Sequence, residues 1–431
     1  MNTQAERREP DAISRGEAPP RGANLRPGGR VRTIAKKPIV MWVAFVFVHV
    51  FLGAIAFTLH KGFGDVYNVY APWSQDALRG WVVGIDEPWV YPIAAIVPIV
   101  VPGFFGVQNY AVAWLVLVTL VDACAFALLL RRRQRRRLIA AWWWLGFLLL
   151  LGPVALGRLD AISAALAIIG LLWLSTRERT AIIVLTVATW IKVWPAALLA
   201  AAIVALRRRA RIVLVAVLSS IAILVVPLAF GAGWNVLSFV TKQTGRGIQI
   251  EAPVALPWMW QAVFGVRGAH VYFDARLITF QIAGHGTHIG EALMTPLLAA
   301  AVIGLLLIGI RAARHGSTYT HILPELALAL VTAFIAFNKV GSPQYITWFV
   351  APTVYGLVVR GRQFRVPSVF VLITAALTQA FYPYLYGGLT HPNAVMVTIL
   401  TLRNLMYFVI LGWTVTKLWG AGRPRPVHLS S

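Results

Sequence analysis

From residue 38 onward, long apolar runs alternate with short basic clusters. The runs at about 38–59, 110–130, 139–156, 161–175, 212–230, 292–310, 322–337, 345–359, 367–383 and 394–418 reach or approach the length that crosses a bilayer. They predict an all-α polytopic membrane protein of about ten full spans, because in lipid the backbone must satisfy its own hydrogen bonds. Two other apolar runs behave differently. The run 92–107 is short and holds Pro92, Pro98 and Pro102, so it reads as a surface or re-entrant helix. The run 181–206 has Arg177 and Arg179 before it, Arg207-Arg208-Arg209 after it, and Pro195 near its middle beside Lys192. That pattern predicts a re-entrant pair of half-helices that dips in and returns.

Composition agrees with the pattern. Of 431 residues, 59% are hydrophobic, and the mean hydropathy is +0.73. The formal net charge of +24 could point to nucleic acid. The positive residues instead lie in short clusters between apolar runs, which is the positive-inside pattern of a multi-pass cell-membrane protein. Lys36-Lys37 place the N-terminus in the cytoplasm, and the run Arg131-Arg132-Arg133-Gln134-Arg135-Arg136-Arg137 belongs on the same side. Residues 1–37 read as a disordered cytoplasmic tail and 419–431 as a cytoplasmic C-terminal tail, flanking a membrane domain over 38–418. The acids show the reverse bias. Asp65, Asp76, Asp86, Glu87, Asp160, Glu251, Asp274 and Glu291 all fall outside on this topology. The outer loops, about 60–109 and 231–291, are long enough to roof a cavity. The lone Cys124 lies in an apolar run and supports neither a disulfide framework nor a cysteine metal site.

Ionisable residues at a membrane boundary are costly, so each needs a partner or a task. Asp65, in Gly64-Asp65-Val66-Tyr67-Asn68-Val69-Tyr70, is either a general base for an acceptor hydroxyl or a cap for a helix starting near Val66. Tyr67 and Tyr70 offer sugar-stacking surfaces or ordinary interfacial anchors. Arg158 and Asp160 share a tight outer turn, where a mutual ion pair is the plainer expectation. Lys192, at the tip of the broken helix, fits a phosphate contact better than a snorkelling lysine. Arg246, Gln249 and Glu251 in Lys242-Gln243-Thr244-Gly245-Arg246-Gly247-Ile248-Gln249-Ile250-Glu251 suit phosphate or sugar hydroxyls. Lys339, Gln344 and Tyr345 cluster at the mouth of two spans, with Trp348 one turn further on. Arg403 sits within the last span and calls for a partner, either a lipid phosphate or a carboxylate such as Asp122. His321, near the cytoplasmic end, is a weaker candidate for binding sugar or acceptor. His285 and His288 lie in a loop without the carboxylate spacing of a metal site. Phosphate-loop, dinucleotide and nucleophile-elbow motifs are absent.

Four segments taken together carry a resemblance. They are Gly64-Asp65-Val66-Tyr67, Gly157-Arg158-Leu159-Asp160-Ala161, Lys192-Val193-Trp194-Pro195 and Asn338-Lys339-Val340-Gly341-Ser342-Pro343-Gln344-Tyr345. With Arg246-Gly247-Ile248-Gln249-Ile250-Glu251 they make the chain resemble the polyprenol-phosphate-mannose-dependent mannosyltransferases of glycosyltransferase family 87, above all the actinobacterial PimE-like group. The resemblance implies a GT-C fold and inverting transfer on the outer face. The donor would be a polyprenyl-phosphate sugar, and the acceptor a glycolipid or cell-envelope glycan. Asp65 maps onto the expected base. Since the leaving group is already a phosphate, it needs cations more than an acid, and Lys192, Arg246, Lys339 and Arg403 are available. No metal or other cofactor is then required. The competing class is a transporter or flippase for a lipid-linked sugar, to which broken helices also belong. Concentration of the polar groups on one face favours the enzyme.

Overall fold

A computed structural model describes residues 37–242 and 246–421. The tail segments 1–36 and 422–431, and Gln243-Thr244-Gly245 within the large loop, lie outside the described residues. The described chain is predominantly helical. In chain order the helices are α1 (Pro38–Leu59), α2 (Ala71–Leu78), α3 (Ile96–Gly103), α4 (Tyr110–Leu130), α5 (Arg135–Leu151), α6 (Leu159–Trp173), α7 (Glu178–Ile191), α8 (Ala196–Ala205), α9 (Arg209–Ala229), α10 (Leu256–Val263), α11 (Thr287–Arg314), α12 (Tyr319–Ala336), α13 (Val350–Arg360), α14 (Arg365–Phe381) and α15 (Ala394–Ala421). Two single helical turns, Ser238–Thr241 and Gly387–Thr390, complete the set.

Among the described residues, seven segments are long and apolar enough to cross a membrane, against the ten expected from the apolar runs. The shortfall has a physical origin. Two expected spans are too short, α5 with 17 residues, its first turn spent on Arg135-Arg136-Arg137, and α6 with 15, and the runs expected at 345–359 and 367–383 form one continuous helical segment, Pro343–Phe381. The run expected at 345–359 begins as a 3-10 turn over Pro343–Phe349 and then continues as α13. Burial separates centre from rim. α12 is buried nearly all round, whereas α9 and α11 expose apolar side chains over most of their surface. An apolar helix with so little of its surface covered by protein needs lipid around it.

The broken helix follows its pattern. α7 stops at Ile191, Lys192 adopts an extended backbone, and α8 starts after Pro195. Glu178 at the start of α7 pairs with Arg211 at the start of α9, at 3.7 Å. At the other end of α7, Trp190 Nε1 donates to Ser220 Oγ of α9 at 2.9 Å. α7 and α9 therefore run side by side in the same direction, and the chain between them, including α8, turns back. Around this pair α6 packs on α7, and α12 packs on α8 and α15.

The all-α expectation needs one correction. The segment 231–291 contains an antiparallel hairpin, β1 (His270–Asp274) with β2 (Thr279–Ala283). Asp274 Oδ1 accepts from Arg276 N at 2.9 Å and Leu277 N at 3.1 Å, which closes the turn. Residues 248–250 add to the free side of β2: Ile282 N donates to Ile248 O at 3.0 Å and Ile250 N to Phe280 O at 3.3 Å. On its other side this strip is held by Gln249 N donating to Lys339 O at 3.0 Å. Glu251, the next residue, is thereby held against Gly341 beyond the end of α12 and against Arg403 within α15.

Candidate functional site

Most of the polar residues singled out above gather at one end of the bundle. Asp65 lies just before the turn Val66–Tyr70 and makes no cap hydrogen bond there, so the helix-cap alternative falls away. Its Oδ1 instead pairs with Arg158 Nη1 at 3.1 Å. Arg158 is buried, while the Asp65 side chain keeps about 31% of its surface exposed. A glycine makes the approach possible. A Cβ on Gly157 would stand 2.5 Å from Gly62 O and 2.7 Å from the Phe63 ring, so only glycine lets the Arg158 segment lie against the Asp65 loop. Arg158 Nη2 also donates to the Tyr382 hydroxyl at 3.2 Å. Burial works against the Arg158 charge, but Asp65 and the surrounding tyrosines outweigh it and raise its pKa.

The expected Arg158–Asp160 pair does not form. Arg158 is extended, outside the helix, whereas Asp160 stands in the first turn of α6, so the two side chains diverge. Asp160 Oδ2 pairs with Lys192 Nζ at 3.3 Å, and Trp348 Nε1 donates to Asp160 Oδ1 at 2.5 Å. Lys192 Nζ also sits 4.4 Å over the Tyr91 ring. Tyr345 stacks on Trp348 at 4.2 Å and feels both Lys192 and Arg246. Arg246 Nε is buried without a hydrogen-bond partner among the described residues.

A third pair lies deeper. Arg403 Nη2 meets Glu251 Oε2 at 3.3 Å and the Glu251 carbonyl at 3.2 Å. Arg403 also contacts the Tyr407 hydroxyl through Nη1. This replaces the expected partner Asp122, which instead takes His49 Nε2 at 3.1 Å among α1 and α4. Tyr386 donates to Glu251 Oε1 at 3.0 Å. Burial pushes the Glu251 carboxyl up, Arg403 and Tyr386 pull it down, and the balance lies at about 7. Gly341 again permits the packing, since a Cβ there would collide with the Glu251–Ala252 backbone.

Tyr382 and Tyr386, 5.3 Å apart edge to face, link the Arg158 and Glu251 pairs. Neither was singled out in the sequence, nor was Tyr91. The run Tyr382-Pro383-Tyr384-Leu385-Tyr386 at the end of an apolar stretch is the signal that could have found two of them. Tyr67 is exposed as a stacking surface requires. Tyr70 is not: its ring is fully buried 5.0 Å from Trp114, with its hydroxyl 3.5 Å from Leu159 N, so it shapes the turn before α6. Gln249 and Gln344 are buried as well, the latter accepting from Ser342 Oγ. His321 lies at the basic end of the bundle where the sequence puts it, so it does not join the candidate site. It lines a cavity with Arg135, Arg136 and Arg360 at the far end of α5, not the Asp65 cluster. Among the described residues, no three His, Cys, Asp or Glu side chains come close enough to share a metal ion.

A bundle of apolar helices with three acid–cation pairs gathered at one end defines a membrane protein with a polar site built on its rim. The model of glycosyltransferase family 87 matches residues 89–337, more than half of the chain, and the chain belongs to that family. The protein is thus a glycosyltransferase. The match takes in Arg158, Asp160, Lys192, Arg246 and Glu251, while Asp65, Tyr345 and Arg403 stand outside it. Comparison with curated proteins and with solved structures finds no match.

Proposed function

We propose that the protein transfers a sugar, with mannose the first choice, from a polyprenyl-phosphate donor to a hydroxyl of a glycolipid or cell-envelope glycan. Transfer is inverting and takes place on the extracytoplasmic side of the cell membrane, and the full bundle has ten spans plus the returning α7–α8 pair. The observation that carries this reading is the contrast among the acids of the site. Asp160 and Glu251 are buried and held by cations, but Asp65 is paired and still accessible. Nothing lies within 4 Å of a Cβ placed on the adjacent Gly64, so there is room for an acceptor. Two other acids of the same loop are engaged elsewhere: Asp76 faces Arg79 at 3.9 Å, and Asp86 accepts from Val82 N at 2.6 Å.

Asp65 then acts as general base, with Arg158 fixing its orientation. An ordinary carboxylate is a weak base for an alcohol, so most of the rate comes from placing the acceptor oxygen and stabilising the departing phosphate. Asp65, Asp160 and Glu251 are matched by Arg158, Lys192 and Arg403, and among the described residues Arg246 enters no ion pair. Its Nε, without a partner among the described residues, suits a phosphate oxygen, and Lys339 is a second candidate cation. The test is transfer from polyprenyl-phosphate mannose by membranes carrying Asp65→Asn. Transfer should be abolished while donor binding persists. Full activity would remove Asp65 as the base, and lipid translocation without transfer by the unaltered protein would make it a flippase.

A further inference from the structure

The opposite end of the bundle holds a second polar cavity, of about 590 Å³. Arg135 and Arg136 reach it from α5, His321 from α12, and Arg360, Arg362 and Arg365 from the turn between α13 and α14. α5 runs from this cavity toward the turn that carries Arg158, and its 17 residues span about 25 Å. The cavity is therefore remote from Asp65 by roughly the thickness of a hydrocarbon core.

Arginines at helix ends are ordinarily solvated anchors that obey the positive-inside pattern. That accounts for their number but not for their arrangement here. Two of them are pinned by the protein. Arg360 Nε meets the buried Glu325 at 2.9 Å, and Arg136 Nη1 donates to Val359 O at 3.0 Å. Gly361, at φ +58, makes the turn that receives Arg136, and a Cβ there would stand 2.8 Å from Arg136 Nε. Five arginines against one glutamate leave a formal charge of +4 around one concavity. Converging like charges repel, and a multivalent oxyanion relieves that repulsion while taking up the forked guanidinium donors.

We propose that this cavity binds a phosphate group, supplied by the headgroup of an anionic phospholipid in the leaflet away from Asp65. Its place at the common ends of α5, α12 and α13 puts the phosphate at headgroup level, where basic pockets between helices meet anionic lipids. The proposal does not depend on which sugar is transferred.

The test uses full-length protein in nanodiscs of phosphatidylcholine, with and without phosphatidylglycerol, read by thermal melting and by lipid adducts in native mass spectrometry. Phosphatidylglycerol should raise the melting temperature and stay bound. R136Q/R362Q should bind it about 30-fold more weakly, and R365Q about 5-fold, with R365Q melting as the unaltered protein does in phosphatidylcholine alone. R207Q/R208Q, which removes exposed arginines outside the cavity, should bind normally. Equal lipid effects in all four proteins would overturn the site. Inorganic phosphate added to phosphatidylcholine nanodiscs separates the two sources. Protection as strong as that of phosphatidylglycerol, and lost in R136Q/R362Q, would overturn the lipid assignment.

Discussion

The Asp65–Arg158 and Glu251–Arg403 pairs have the same chemistry in different surroundings. Both join a carboxylate to a guanidinium at just over 3 Å; one tyrosine hydroxyl meets the first pair, at Arg158, and two meet the second, one at each partner. In the first pair only the arginine is buried. In the second, both side chains are almost wholly enclosed. A carboxylate sealed with its cation cannot reach a substrate without opening the protein. One that is half open can keep its partner and still accept a proton. The first arrangement suits chemistry, and the second ties the 248–252 strip to α15.

The largest expected effect lies in the open pair. Asp65→Asn should lower the transfer rate by roughly 10²–10⁴-fold, the usual yield of a positioned general base. Asn keeps an oxygen acceptor for the buried Arg158, and Asp65 itself is partly exposed, so melting in detergent should fall less than when the sealed pair is split. A variant that lost stability and activity together would place Asp65 among the structural pairs.

Next come substitutions that split the sealed pair. Removing one partner of a buried ion pair leaves an uncompensated charge and costs about 3–5 kcal/mol. The two partners should not be equivalent. Glu251→Leu strands an arginine that keeps its charge, so it should fall at or near that full cost. Arg403→Met strands a carboxylate that can take up a proton, so it should cost less below neutral pH. Melting of both variants at matched pH decides the order, and an equal loss would count against proton uptake by Glu251.

That asymmetry predicts a pH dependence. Folded Glu251 holds its proton up to about pH 7, whereas its ordinary value is 4.5. Between those limits the folded state binds more protons than the unfolded chain, so stability should fall as pH rises from about 4.5 through about 7. Glu251→Gln should flatten this part of the melting profile. The Asp65→Asn profile should keep the slope of the unaltered protein.

How much of this was legible in the sequence follows from how far apart the partners lie along the chain. Apolar runs and basic clusters are local, so the helices, the break at Lys192–Pro195 and the returning half-helices follow from them. The pairings are not local. Arg158 and Asp160 looked like partners because they are two residues apart, yet α6 begins between them and sends them to different neighbours. Arg403 needed an acid, but nothing in its own helix indicates that the acid lies in a loop 152 residues earlier. Glu251 is picked out by its loop segment and Arg403 by its place within the last span, and neither signal joins the two. Tyr382 and Tyr386 went unnoticed because tyrosines near a membrane boundary are ordinary anchors.

Those two tyrosines give the finest way to separate the pairs. Tyr386→Phe removes a donor to Glu251, while Arg403 remains. It should cost about 1–3 kcal/mol, the range for a hydrogen bond to a charged group in a buried site. Since Tyr386 pulls the Glu251 carboxyl down, its loss should also move the alkaline fall in stability to higher pH. Tyr382→Phe removes an acceptor from Arg158, whose other Nη nitrogen still holds Asp65. Its stability cost should be smaller, about 0.5–1.5 kcal/mol. Its effect should appear in transfer, through a looser Arg158 and a less well oriented Asp65. One tyrosine should thus register in the melting profile and the other in the rate. If both variants moved the same measurement to the same extent, the two pairs would be one coupled network, and the division between a working pair and a sealed one would have to be abandoned.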